Sequence, residues 1–314
     1  MADCNSEFTK FLDTIQLGKT KTENLRRARN AIRDRIIGYF QDKGWKPPTF
    51  HGQGSFKVHT CINQSDEDYD IDDGVYLQHI PEHKKDWPTT ETVHGEILEA
   101  VKGHTDIPPK DKHSCVRVQY KNEYHVDLAI YGEDGKVYLA RKGAEQWEEN
   151  SPKLFTEWFL NKLAIHGEQL RNVCKYLKKW SYFNGWNDTI TGFYITILVG
   201  NHFSASPDRE DLALYNTLKG IVSYLESYRK IIRPVEPMKN MTESLTDKKM
   251  DDIISRLKGF RDNTEKAIMG ASKEDAHQTW RQLFGEDFPK YKGDQNNNSS
   301  NTATIIRENK PWGN

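Results

Sequence analysis

Cysteine is scarce, with four in 314 residues, at positions 4, 61, 115 and 174. No two stand at metal-ligand spacing, which argues against a zinc knuckle; thiols so scattered read as reduced, buried or neutral residues of a cytosolic protein. No stretch approaches the roughly 20 apolar residues that span a bilayer. The opening MADCNSEFTKFLDTIQLGK has no apolar core and no cleavage site, so no signal peptide is expected. The chain is read as soluble and cytoplasmic, without a membrane partner. Charge of one sign is also missing: 45 Lys plus Arg meet 46 Asp plus Glu, a formal net charge of -1. Proteins that coat long nucleic acid are usually more basic, so none is expected as a partner, although a local basic cleft is compatible with overall neutrality.

What is present suffices for a core: 36% of residues are apolar and 29% charged, in a length that suits one large or two modest domains. Residues 20–43 read as a long amphipathic helix, with Leu25, Ala28, Ile32, Ile36 and Phe40 at helical spacing and Gly44 and Pro47-Pro48 to stop it. Its five arginines between 26 and 35 read as a solvated basic face pairing with nearby acids, ahead of a ligand face. Short strands follow in TFHGQ and DIDDGVYL, then a helix in ETVHGEILEAVKG. SCVRVQY and YHVDLAIY form a hairpin. From Ser151, a cap before Pro152 at the first helical position, the texture turns helical, through EQLRNVCKYLKKWSYF and TGFYITILVGNHF to a last segment over 245–285. The expected fold is α+β in two lobes, a mixed β-sheet core over 1–150 and a helical bundle over 151–289, with the site in the cleft between them. Residues 290–314 form a polar tail, expected to be mobile.

The chemistry concentrates at one strand. In DIDDGVYL, alternation puts Asp70, Asp72, Gly74 and Tyr76 on one face and Ile71, Val75 and Leu77 on the other. Two carboxylates so close repel unless a cation lies between them. Gly74, beside them, would let a ligand approach. Asp73 falls on the apolar side, where it is expected to start the strand and bond to the loop; Asp66, Glu67 and Asp68 read as solvated loop. Hard oxygen ligands suit Mg²⁺. An EF-hand starting at Asp68 fails, with Asp73 in place of the required glycine and His79 in place of the closing glutamate. In the hairpin, keeping the apolar faces together pairs Val118 with Val126 and sets Arg117 opposite Asp127 across a Lys121-Asn122-Glu123 turn. Asp127 then points toward Asp70 and Asp72. Upstream, Gln53-Gly54-Ser55 follows a strand and offers backbone N–H groups and a hydroxyl to an anion. In the helical half, Leu170, Val173, Leu177 and Trp180 make a core stripe; Arg171, Lys175 and Lys178 make the opposite one, a solvated face if the helix stood alone.

QGSFK, DYDIDDGVYL and YHVDLAIY together resemble the DNA polymerase beta-type nucleotidyltransferases. Within these they resemble the bacterial relatives of cyclic GMP-AMP synthase and oligoadenylate synthetase, the CD-NTases of anti-phage CBASS systems. NSPKLFTEWF, LKKW, TGFYITIL and WRQLFGEDFP extend the resemblance over roughly 52–289. One departure is His59 in FKVHT, where the family often has glycine. The resemblance implies two Mg²⁺ ions, replaceable by Mn²⁺, held by Asp70 and Asp72, with Asp127 on one of them. It also implies Gly54, Ser55, Lys178 and Thr191 on the phosphates. The implied product is a cyclic di- or trinucleotide made from NTPs, ATP first among them, and sensed by a downstream effector. A CBASS regulatory or conjugating protein could act at the C-terminus, on KPWGN. The alternatives are an RNA-tailing or small-molecule nucleotidyltransferase of the same fold, or a catalytically inactive nucleotide-binding module.

Overall fold

The computed structural model describes residues 2–63, 69–121 and 124–291. Asp66, Glu67 and Asp68, the turn residues Asn122 and Glu123, and the tail from 292, KPWGN included, lie outside the described residues. The first half runs α1 (Asn5–Ile15), α2 (Lys19–Asp42), β1 (Thr49–Gln53), the single turn α3 (Gly54–Lys57), β2 (Tyr69–Tyr76), α4 (Thr90–Val101), β3 (Lys110–Asp111), β4 (Val116–Tyr120), β5 (Tyr124–Asp134), β6 (Lys136–Leu139) and β7 (Glu148–Glu149). The second half is α5 (Pro152–His166), α6 (Glu168–Phe183), α7 (Gly192–His202), α8 (Glu210–Tyr228), α9 (Asp247–Ile268) and α10 (Lys273–Phe284). This is a two-lobed α+β fold.

The sheet is mixed. Its order is β1-β2-β5-β4-β3, with β6 and β7 continuing from β5. Among the described residues only β2 and β5 are parallel, side by side at its centre. In the hairpin, Val118 pairs with Val126 and Arg117 with Asp127, the register that joins the two apolar faces. Leu25, Ala28, Ile32, Ile36 and Phe40 of α2 are all buried against this lobe, as the 3.6-residue period requires. Of the α2 arginines, Arg26, Arg27 and Arg35 are exposed and Arg29 and Arg33 half-buried. Arg35 donates to the Ala100 carbonyl at 3.0 Å and to that of Lys102. Arg33 donates to both oxygens of Asp73, at 2.6 and 2.5 Å.

That pair corrects the reading of Asp73. The residue is mid-strand and fully buried, and its partner is Arg33 of the covering helix rather than the loop. A carboxylate on the apolar face of a sheet needs such a pairing.

The helical lobe has its own core. Phe8 and Phe11 of α1 pack there with Tyr176, Trp280, Phe284 and Phe288, so the first helix of the chain joins its last ones. Trp180 stacks on Phe260 with ring centroids 4.3 Å apart. Pro152 opens α5 as expected, but the Ser151 hydroxyl does not cap it; it donates to the Glu236 carbonyl instead. The expected helix over 245–285 is two, α9 and α10, capped by the Thr246 and Ser272 hydroxyls.

Candidate active site

The site begins with the parallel pair at the centre of the sheet. Asp70 lies beside His125 and Asp72 beside Asp127. Ile71, Val75, Val126 and Leu128 alternate with them and are buried, so the carboxylates and His125 come out together on the opposite face. His125 Nε2 stands 4.0 Å from Asp70 Oδ2 and 3.9 Å from Asp127 Oδ2. Donor atoms of Asp70, His125 and Asp127 all lie within 4.8 Å of one another. Arg117 donates Nε and Nη2 to the two oxygens of Asp127, at 2.8 and 2.7 Å, a fork that fixes the plane of the carboxylate.

Burial, then the neighbouring carboxylates, raises the pKa of Asp72 well above its ordinary value. Asp70 is raised too, chiefly by burial and next among the raising causes by Asp127, while His125 pulls the other way. Carboxylates in this state favour a cation.

Gly54 fits against them. Its φ is +67°, the left-handed region, and a Cβ there would lie 1.8 Å from Asp72 Oδ2. Only glycine lets the turn close on that carboxylate. The next residue, Ser55, shares a hydrogen bond with the Cys61 thiol at 3.0 Å. Burial pushes Cys61 up to about 12, so it stays a thiol. His59, where the resemblance expects glycine, has a φ of 57°, a left-handed conformation that histidine adopts more readily than most residues.

The helical lobe closes the site. On α6, Leu170, Val173, Leu177 and Trp180 are buried, as the stripe predicts, but the opposite stripe is not a solvated face. Lys175 is buried, and Arg171 donates to the Val58 carbonyl at 2.9 Å. Lys178 Nζ reaches across the cleft to Thr60, donating to its hydroxyl at 2.9 Å and its carbonyl at 3.2 Å. Burial lowers the Lys178 pKa, while Cys174, Cys61, Asp70 and Asp72 act to raise it. The first residue of α7, Gly192, leaves room for this side chain; a Cβ there would meet Lys178 Cε at 3.3 Å.

Between the lobes lies a cavity of about 330 Å³, bordered by Gly54, Ser55, Asp70, Asp72 and Lys178, large enough for a small-molecule ligand. Asp127 is not among the lining residues; it stands beside Asp72 in the strand register. Thr191 is set apart: its hydroxyl caps α7, accepting from the Tyr194 N–H at 3.2 Å, while Gly192 and Phe193 line the cavity. Gly74 does not make room for a ligand. A Cβ there would lie 2.9 Å from the Tyr76 ring and 3.2 Å from Gln53 Oε1, so protein fills the space. Sequence reasoning gave no role to His125 or Thr60, nor to the wall made by Phe155, Tyr182, Ile190 and Phe193. His125 was visible two residues before Asp127; aromatic residues on helices look like core until the lobes are brought together.

Residues 48–131, which carry the Gly-Ser turn and all three aspartates, match the family described as cyclic GMP-AMP synthase DncV-like, nucleotidyltransferase domain. These residues are a nucleotidyltransferase domain of that type, and the chain as a whole is similar to the bacterial CD-NTases. It is similar to the cyclic GMP-AMP synthase of Vibrio cholerae, 24% identical over 298 residues, which cover 76% of this chain and 67% of the relative. The corresponding Escherichia coli TW11681 protein is 23% identical over 219 residues, 53% of this chain and 51% of the relative. The chain thus spans about two thirds of one curated relative and about half of the other. A mutant of the Vibrio cholerae di-nucleotide cyclase solved with ATP, GTP and 5MTHFGLU2 has a TM-score of 0.76 at 17% identity, covering 92% of this chain and 98% of that one. Escherichia coli MS115-1 CdnC solved with ATP has a TM-score of 0.70 at 18% identity, covering 91% and 98%.

Proposed function

We propose that this chain joins nucleoside triphosphates, ATP among them, into a cyclic di- or trinucleotide signal, with Mg²⁺ at Asp70, Asp72 and Asp127. The observation that carries the reading is the placement of Asp70 and Asp72 beside Asp127 on parallel strands, facing Lys178 across one cavity.

The carboxylate oxygens of Asp70, Asp72 and Asp127, beside the His125 nitrogen, fit Mg²⁺, which takes one or two carboxylates and completes its shell with water and phosphate oxygens. Asp70 and Asp72 would hold both ions and Asp127 one of them. Bound there, the ions supply activation of the attacking hydroxyl and neutralisation of charge at the α-phosphate. Asp127 is oriented for this by the Arg117 fork. Ser55 and the Gly54 turn receive the triphosphate, and Lys178, released from Thr60, compensates the charge that builds on the leaving pyrophosphate. The aromatic and apolar wall gives the bases a dry surface. Repeating the step within the one cavity closes the ring.

The relatives support the substrate class: DncV is solved with ATP and GTP, and separately with the linear intermediate 5' pppA(3',5')pG. CdnC is also solved with HORMA-deltaN, which motivates a protein partner for this chain. A cytoplasmic anti-phage CBASS role, with an effector that senses the product, completes the proposal. Among the described residues no helix is long and apolar enough to cross a membrane.

The test is mass spectrometry of the products formed from the four NTPs and Mg²⁺ without any acceptor. A cyclic product that disappears in Asp70→Asn and in EDTA is expected. Turnover that needs an added RNA or small-molecule acceptor would instead support a tailing or modifying enzyme, and nucleotide binding without turnover an inactive module.

A further inference from the structure

We infer that Cys4, Glu7 and His277 form a zinc site, remote from the cleft, that ties the start of the chain to its last helix. Cys4 is the N-cap residue of α1 and Glu7 lies three residues on, so both side chains share one face of the first turn. His277 comes from α10. Donor atoms of the three residues lie within 4.8 Å of one another, and Glu7 Oε1 stands 3.6 Å from His277 Nε2. Around a tetrahedral zinc with bonds of about 2.0–2.3 Å, donor atoms are roughly 3.3–3.8 Å apart. The site therefore needs to contract by at most about 1.5 Å.

A buried polar atom points to an absent partner. His277 Nδ1 lies 3.2 Å from the Pro289 carbonyl oxygen, which makes Nδ1 the protonated nitrogen and leaves Nε2 a lone pair. That Nε2 is buried and has no hydrogen-bond partner, on a residue only 3% exposed. A metal-ligating histidine is held in this way, its second nitrogen donating to a backbone carbonyl. The buried indole N–H of Trp280, also on α10, is directed at the Cys4 sulfur as a hydrogen-bond donor, a contact that a zinc-bound thiolate would strengthen.

Lys273 now stands 3.2 Å from Glu7 Oε1. It is 43% exposed and can withdraw into water when a divalent cation takes its place. One sulfur, one imidazole and one carboxylate select zinc over Mg²⁺. A water on the open side of Glu7 completes the tetrahedron. Binding forms the Cys4 sulfur–zinc bond and releases the thiol proton to solvent. The clamp would join the N-cap of α1 to the stretch at Pro289 that leads into the C-terminal tail.

The test is titration of the full chain with Co²⁺, then Zn²⁺, under saturating Mg²⁺ to fill the carboxylates of the cleft. One equivalent of Co²⁺ should bind with a thiolate-to-cobalt charge-transfer band and be displaced by one equivalent of Zn²⁺. Cys4→Ser should remove the band. Glu7→Gln and His277→Gln should each weaken zinc at least about tenfold, with circular dichroism showing that each variant is folded. A wild-type chain with no thiolate band overturns the site without any variant. So does a band that survives Cys4→Ser, or zinc affinity unchanged by His277→Gln.

Discussion

Gly54→Ala probes the contact on which the site depends. The added methyl would lie 1.8 Å from Asp72 Oδ2, and ordinary van der Waals contact starts at 3.4 Å. The carboxylate must therefore retreat by roughly 1.6 Å, and misplacing a reacting group by about 1 Å costs on the order of 100-fold in rate. The same substitution puts alanine at a φ of +67°, a strain of about 1–2 kcal/mol. At this chain length that lowers Tm by roughly 1.5–3 °C. Pyrophosphate release at saturating Mg²⁺ and NTP should fall at least about 100-fold, against a small thermal shift. Gly135→Ala separates the two effects. Gly135 has a φ of +63° with nothing within 4 Å of its Cβ direction, so it carries the strain without the collision and should lose stability but not activity. A Gly54→Ala enzyme within about threefold of wild-type rate would refute the argument, because Asp72 would then not work from the position it holds against the turn.

Asp72 and Asp73 are adjacent and should fail in opposite ways. Removing Asp73 strands the Arg33 guanidinium, which is 23% exposed; Asp73→Ala should cost about 2–4 kcal/mol in a denaturant melt while the folded fraction keeps its nucleotide affinity. Asp72→Asn should abolish turnover with the fold intact, and it should change the pH dependence of stability. The native Asp72 pKa is raised above the ordinary 3.8, so above that pH the native state keeps a proton that the unfolded chain has lost. Metal-free protein should therefore lose stability as pH rises from about 4, and a melt of the Asp72→Asn protein in EDTA should show a flatter profile. Lys178→Met should raise the apparent KM for NTP about tenfold or more, since a charge-assisted contact is worth roughly 1.5–3 kcal/mol; steady-state kinetics that leave KM unchanged would move the phosphate contact off α6.

The parts legible in the sequence share one cause. Strand side chains alternate, so DIDDGVYL and YHVDLAIY carry their facing in the text, and joining their apolar faces allows a single hairpin register. That sufficed to set Asp127 on the face of Asp70 and Asp72 and Arg117 opposite it. Alternation says which way a residue faces, not what meets it there. Asp73 was assigned the right face and the wrong partner, because Arg33 lies 40 residues away on a helix whose rotation over the sheet is set by packing. Gly74 faced the expected way, and its space is taken by Tyr76 and Gln53. The basic stripe of α6 reads the same on a free helix and on one wedged against another lobe; only the approach of Thr60 and Val58 separates the two. The Cys4 cluster was hidden for the same reason. Cysteine spacing detects ligands that are close in sequence, whereas His277 reaches Cys4 and Glu7 only because α1 leaves the sheet lobe and packs among the last helices. Local periodicity therefore gave the carboxylates, and the groups that complete or restrain them come from contacts between elements distant in the chain.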